Sequence, residues 1–516
     1  MRTSAVLAGL AAGANAFVLP GQYSFQIFPV EALDAGASLW PHLPYFLKHP
    51  VDPIKFQDDV QLDELNSTAW DLFDVAGTSN SSYGHPTRVI GSPGHWNTLK
   101  YIYKQFDELR DYYDVYSQTF KALSGEVLSY NLSFQNGSQV PTAEAFSLSP
   151  PVEPFTGPLV EIPNLGCSER DFEAVTVPKN AIALIERGEC PFGKKSKLAG
   201  KFGFKAVVVF DNDPHSEKGV TGTLSKPTKH TVSTIGVSYT VGQRLIADIL
   251  LHKLINKPFQ LEFYMDSYVK EIKTQNIIAD TKHGDPENIV ALGAHTDSVA
   301  AGPGINDDGS GTISLLTVAK HLSKYKINNK VRFAFWSAEE EGLLGSTYYV
   351  EQLSPEENSK IRLFMDYDMM ASPNYQYQVY DANNKVNPNG SEELKNLYID
   401  YYKSHNLSYT MIPFDGRSDY VAFIENGIPG GGIATGAEGL NTDNGKVLDH
   451  CYHERCDDVS NIAWDAFLVN TKLIAYSVAT FAHSLEDFPA RTNSTLSMTG
   501  STQNSNFDYR GPQLVL

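Results

Sequence analysis

Between residues 294 and 311 the sequence reads AHTDSVAAGPGINDDGSG, which sets His295, Asp297, Asp307 and Asp308 among glycines and a proline. Imidazole nitrogen and carboxylate oxygen at such spacing are ligand types for a divalent cation, zinc in particular. A polar loop needs no metal to explain it, since loops commonly solvate their charges at the surface. Three further stretches carry the same donor types. FWSAEEEGLLGS holds Glu339, Glu340 and Glu341, LFMDYDMMAS holds Asp366 and Asp368, and DHCYHERCDD puts His453 between Cys451 and Cys456. Each has a plain reading on its own: glutamates opening a helix are favourable partners of its dipole, Asp368 can cap a turn, and a lone histidine is more often structural. Three apolar runs ending in nitrogen or oxygen donors, with a fourth donor in a short cysteine-flanked loop, point instead to a metal centre.

The elements that must position these groups are legible as pattern. From residue 276 onward, apolar runs at 289–292, 331–336 and 364–369 alternate with helical segments such as 311–322, where Leu315, Val318, Ala319 and Leu322 share a face. That alternation predicts an α/β sheet with helices on both faces, and in open α/β sheets functional residues gather beyond the carboxyl ends of strands. Upstream, Leu99, Ile102, Phe106 and Leu109 recur at helical spacing and predict a helix over 97–118; strands follow at 127–134 and 143–148. At SPPVEPFTGP the character changes. Residues 150–265 read as an inserted β-rich module with short strands at 181–185, 206–210 and 234–237, helices near 194–202 and 241–251, and no dense donor cluster. Residues 17–60, rich in proline and aromatics, suit either a propeptide or a wrapping arm. The Ser/Thr/Asn-rich tail from 485 to 516 promises little packing.

The net charge of −19 argues against nucleic acid or an anionic membrane as partner, and no later run is long enough to span a membrane. The first sixteen residues have an early cation, an apolar run and the small-x-small site Ala14-Asn15-Ala16, the pattern of a secretory signal. Seven Asn-x-Ser/Thr triplets, at Asn66, Asn80, Asn131, Asn136, Asn389, Asn406 and Asn493, fit a glycosylated export, though each is individually weak. Four cysteines allow three pairings; the local one, Cys167 with Cys190 and Cys451 with Cys456, is preferred over a zinc–thiolate site because no Cys-x-x-Cys occurs.

The segments HTDSVAAGPGINDDGSG, FWSAEEEGLLGS, DYDMMAS, GRSDYVAFIENGIPGGGIATGAE and CYHERCDD resemble, in order, the motifs of the co-catalytic di-zinc aminopeptidases. The insert at 150–265 is similar to the protease-associated domain of the aminopeptidase Y branch. The resemblance implies a mixed central sheet flanked by helices, the zinc exopeptidase fold, built from 61–149 and 266–484. It implies two zinc ions, one bound by His295 and Asp368, the other by Glu340 and His453, with Asp307 bridging. Glu339 becomes the general base, Asp297 the residue orienting His295, Tyr452 a hydroxyl for the oxyanion and Arg417 a contact to substrate carbonyls, with a structural arginine an even alternative. By the same resemblance the Asp307–Asp308 bond is cis. The expected substrates are peptides with free amino termini, cut by a monomer outside the cell or in a vacuolar lumen. A carboxypeptidase or single-zinc cyclase of the same superfamily and a non-catalytic receptor on this fold stay open, the last two disfavoured by an intact donor set.

Overall fold

In a computed structural model, described for residues 43–215, 218–225 and 227–491, the strand Asp285–His295 lies at the heart of the sheet. It sends Ile289 and Ala291 into one apolar cluster and Val290, Leu292 and Ala294 into another. Side chains alternate across a strand, so a continuous apolar run is what a sheet covered on both faces requires. Parallel neighbours are Asn329–Trp336 on one side and Ile361–Tyr367 on the other. Beyond the latter come Gly430–Ala434, Tyr377–Tyr380 and Tyr409–Ile412; the step from Gly430–Ala434 to Tyr377–Tyr380 is antiparallel, so the sheet is mixed. Helices Gly309–Leu322 and Trp464–His483 cover one face, while Leu344–Glu351 and Tyr420–Glu425 cover the other.

Two strands of 22 residues, Tyr113–Phe134 and Gln260–Thr281, pair antiparallel along nearly their whole length and run out of this sheet into the inserted module. There Gln260–Thr281 pairs with Val152–Glu161, followed by the parallel strands Ile182–Glu186, Ala206–Phe210 and Ser233–Val237 and the antiparallel edge Glu144–Ala145. Apolar clusters on both sides of this sheet give the module its own core, and Cys167–Cys190 is a disulfide within it.

The helix expected over 97–118 is instead Pro93–Asp107, opened by Ser92, whose hydroxyl accepts from the His95 amide, with proline in the first turn. Helical spacing continues to Leu109, but from Tyr113 the aromatic and β-branched residues pair with Gln260–Thr281, and the ladder prevails over local periodicity. The described part of the 17–60 segment is a strap on the main core. His49–Pro50 pairs with Tyr325–Lys326, Tyr45 stacks on His283 with centroids 3.6 Å apart, and Val51, Phe56 and Val60 are buried. The segment 1–16 expected to be a signal peptide, residues 17–42, Asn493 and the tail from 492 fall outside the described residues. No helix among those described is long and apolar enough to cross a membrane.

Phe56 is fully buried and meets Tyr325 edge-on at 5.4 Å. Phe56→Ala is expected to destabilise the folded protein by about 3–5 kcal/mol while leaving turnover per folded molecule unchanged. Denaturant unfolding checks this; a loss below about 1 kcal/mol would mean that the strap is no part of the mature core.

Candidate metal centre

Three adjacent parallel strands deliver donors at their carboxyl ends. His295 is the last residue of Asp285–His295, Asp368 follows Ile361–Tyr367 directly, and Glu339 and Glu340 lie in a turn just past Trp336. The glutamates do not open a helix: the Glu339 carbonyl accepts from Gly342 and Leu343, and the helix begins at Leu344. His453 arrives from the loop closed by the Cys451–Cys456 disulfide.

Asp307 joins the two halves. One of its oxygens lies 3.2 Å from Nε2 of His295, and the other 3.3 Å from Nε2 of His453. Glu340 approaches His453 Nε2 at 3.2 Å, and Asp368 Oδ1 lies 3.7 Å from His295 Nε2. Asp307, Glu340 and His453 thus form one tight donor group. Asp308 falls within the other, with His295 and Asp368, yet its oxygens are already used. One accepts from the His295 amide at 3.0 Å, the other from Gly311 and Met369 at 2.9 and 3.2 Å. It caps the helix Gly309–Leu322 and buttresses the site. A side chain at Gly311 would strike this carboxylate and the Tyr367 carbonyl, so glycine is required there. The Asp307–Asp308 bond is cis.

Asp297 meets His295 chiefly through its main chain. His295 Nδ1 meets its backbone carbonyl at 3.2 Å, whereas its carboxylate is 3.8 Å away. The carboxylate oxygens instead accept from the amides of Glu339 and Glu340, each at 3.3 Å, and so hold the glutamate turn. Arg417, expected to reach substrate, is paired with Glu438 and, at 3.2 Å, with Asp415. Tyr452 stacks on the His453 ring with centroids 3.8 Å apart. Of the described sequon asparagines, Asn80, Asn136 and Asn406 are exposed and Asn66, Asn131 and Asn389 half-buried.

Sequence reasoning missed the residues that tie the loops and strand ends of the site together. Asp457 accepts from the amides of Asn306 and Asp307 at 2.9 and 3.0 Å, so the loop bearing His453 grips the loop bearing the central carboxylate. Asn306 ties to Asp449 at 2.7 Å and Ser372 at 3.1 Å. His95, buried, meets Thr296 and Ser337 at 3.2 Å each and joins two strand ends. Only the acids of CYHERCDD offered a signal, and nothing in it separates Asp457 from Asp458.

Burial opposes charge on all these groups. Against it, Glu339, the Asp307 hydrogen bond and Asp368 raise the His295 pKa well above its ordinary value, and Glu340 and Asp307 do the same for His453. Asp307 is held low by the two histidines despite its burial. Burial raises Asp368 to about 7, and raises Glu339 well above the carboxylate range with help from Glu340, Asp419 and Asp368. Asp368 Oδ1 is buried without a hydrogen-bond partner. An acid-lined pocket that draws protons onto its imidazoles and strands a carboxylate oxygen fits a bound cation.

Residues 276–478 match the model of peptidase family M28, and residues 155–245 that of the PA domain. The chain is 64% identical over 482 residues to aminopeptidase Y of Saccharomyces cerevisiae, covering 92% of this chain and 89% of the relative. It is 41% identical over 478 residues to a probable leucine aminopeptidase 2 of Aspergillus oryzae, covering 90% and 93%. Among solved structures, an aminopeptidase from Aneurinibacillus sp. strain AM-1 superposes with a TM-score of 0.68 at 25% identity, over 86% of this chain and 98% of that one. A zinc aminopeptidase from Bacillus subtilis gives 0.56 at 25% identity, over 84% and 97%. The chain therefore belongs to peptidase family M28, as a metallo-aminopeptidase with an inserted PA domain.

Proposed function

We propose that this enzyme removes single residues from the free amino ends of peptides at a centre of two zinc ions. The observation that carries the reading is the Asp307 carboxylate, one oxygen toward His295 and the other toward His453. His295 and Asp368 would hold one ion, Glu340 and His453 the other, and Asp307 both. Imidazole and carboxylate donors suit zinc, and what the ions supply is Lewis acidity that polarises the scissile carbonyl and acidifies water. Glu339 lies 3.9 Å from His295 Nε2 without belonging to either donor group. Its carboxylate takes the proton of the attacking water and returns it to the departing amine. Burial sharpens that transfer by keeping bulk water from competing for the proton. The Tyr452 hydroxyl, fixed by the stacking of its ring on His453, donates to the developing oxyanion. Arg417 would contact substrate carbonyls, or, its charge matched by Glu438 and Asp415, serve a structural role, the even alternative.

Two disulfides accord with a compartment outside the cytosol, in keeping with an exported, glycosylated enzyme. Ser225 of the inserted module sits against Gly342, so close that a Cβ there would lie 2.8 Å from its hydroxyl. This supports the module as one border of the approach to the glutamate turn.

Hydrolysis of a chromogenic leucine amide with a free amino group, and none of its acetylated form, is the expected outcome; equal cleavage of both would overturn the aminopeptidase reading. Glu339→Gln is expected to keep about two zinc ions per chain and lose two to four orders of magnitude in kcat. Elemental analysis beside kinetics checks it, and zinc lost with activity would exchange the roles of Glu339 and Glu340. Closing a five-residue loop adds modest global stability, so replacing Cys451 and Cys456 together by serine should reduce zinc affinity or activity more than melting temperature. A fully active double variant would reject the loop's positioning role.

A further inference from the structure

Arg88 belongs to the stretch HPTRVIGSPG, before the helix Pro93–Asp107 and outside every donor-bearing motif, and its side chain is completely buried. Its Nε donates to the Pro303 carbonyl at 3.0 Å, and one terminal nitrogen donates to the carbonyls of Gly304 and Asp297 at 2.6 and 3.3 Å. Its backbone amide donates to the Ser298 hydroxyl at 2.9 Å. The other terminal nitrogen has no hydrogen-bond partner. A buried guanidinium needs nearby negative charge, and here the acids attracting it are Asp457, Asp308, Asp297 and Asp307. The oxygens of these acids are engaged elsewhere, so the N–H groups of Arg88 are free to serve a single loop.

That loop runs from His295 to Asp307. The Asp297 carbonyl that accepts from Arg88 also accepts from His295 Nδ1. A carbonyl cannot donate, so Nδ1 carries a proton, and Nε2, beside Asp307, is the nitrogen that would turn its lone pair to a metal. At the loop's far end Gly304 has φ +59°, and a Cβ there would lie 2.2 Å from the Asp307 carbonyl and 3.2 Å from the guanidinium. The chain is wrapped around the guanidinium on one side and carries the central carboxylate on the other.

We propose that Arg88 is a positioning residue. Its guanidinium is the template on which the His295–Asp307 loop takes its ligand-ready shape before any metal arrives. The inference rests on the two-ion reading of the centre. A lysine at 88 would keep the charge but not the planar fork that reaches three carbonyls.

The test compares wild type, Arg88→Lys and Arg88→Met for zinc held per folded chain against a competing chelator, and for kcat and KM on leucine amide. Folded Arg88→Lys should bind zinc about 10–100-fold more weakly, with kcat lowered at saturating zinc and KM within about twofold, because Arg88 does not face substrate. Wild-type zinc affinity and kcat in Arg88→Lys would overturn the role, even beside a lowered melting temperature. Should neither variant fold, hydrogen exchange in the wild-type protein decides. A preformed loop keeps the amide of Gly309, bonded to the Gly304 carbonyl that Arg88 also holds, protected after zinc is stripped, whereas protection that appears only with zinc overturns the proposal. Wild-type protein that holds no zinc would overturn the centre itself and this role with it. That outcome is distinct from equal zinc binding by wild type and Arg88→Lys, which overturns the role alone.

Discussion

One carboxylate must face two ways, and much of the molecule serves that constraint. Asp307 meets His295 with one oxygen and His453 with the other, and the two histidines come from distant parts of the chain. A side chain cannot satisfy two partners unless the loops presenting them are fixed relative to each other to within a fraction of an ångström. The fixing is done by the backbone. Asp457, just after the disulfide loop, accepts from the amides of Asn306 and Asp307, and the Ile305 amide reaches the Asp457 carbonyl. The segment that presents His453 therefore also holds the main chain that presents Asp307, and one cannot shift without the other.

Such a centre concentrates negative charge where water cannot screen it. Asp297, Asp308, Asp366 and Asp457 are all buried, and burial alone raises a carboxyl's pKa. Each is given backbone amides to accept from: Glu339 and Glu340 for Asp297, Gly311 and Met369 for Asp308, Tyr420 for Asp366, Asn306 and Asp307 for Asp457. Even so, burial with Asp449 nearby pushes Asp457 up to about 8, and burial pushes Asp366 to about 6. Acids that backbone donors hold but do not fully neutralise suit a site for cations, and Arg88 is a cation built in behind it.

The donors were legible from sequence because donor types at the ends of apolar runs are a signal of side-chain identity. The parts played by neighbours were not. Asp307 and Asp308 are the same residue type side by side, and only the fold turns one toward the histidines and the other toward three amides. Asp297 was read as the residue orienting His295, but which of its atoms does so was not legible: the 3.2 Å contact to Nδ1 comes from its carbonyl, an atom every residue carries. Arg88 acts on main-chain carbonyls, and Asn306 ties Asp449, Ser372 and the Ala371 amide together, contacts between distant segments that leave no spacing to detect. In the fold, the strands at 289–292, 331–336 and 364–369 were recognisable as buried apolar runs. The end of the helix at Asp107 was hidden by Leu109, which continues the helical face although the chain has already begun to turn toward its strand.

Access follows from how the two modules are joined. The strands Tyr113–Phe134 and Gln260–Thr281 belong to both, so the inserted module is carried on a two-stranded ladder rather than a flexible linker, and its Ser225 lies against Gly342, two residues beyond Glu340. Exposure within the centre is uneven: the side chain of His453 is 38% exposed and that of Asp368 18%, while His295 is almost wholly enclosed. The centre is thus open toward His453 and closed around His295. A chain end can enter such a recess, whereas the middle of a chain would have to thread both of its arms past the same walls. The depth that shields Glu339 from bulk solvent is therefore also a geometric constraint that suits a chain end.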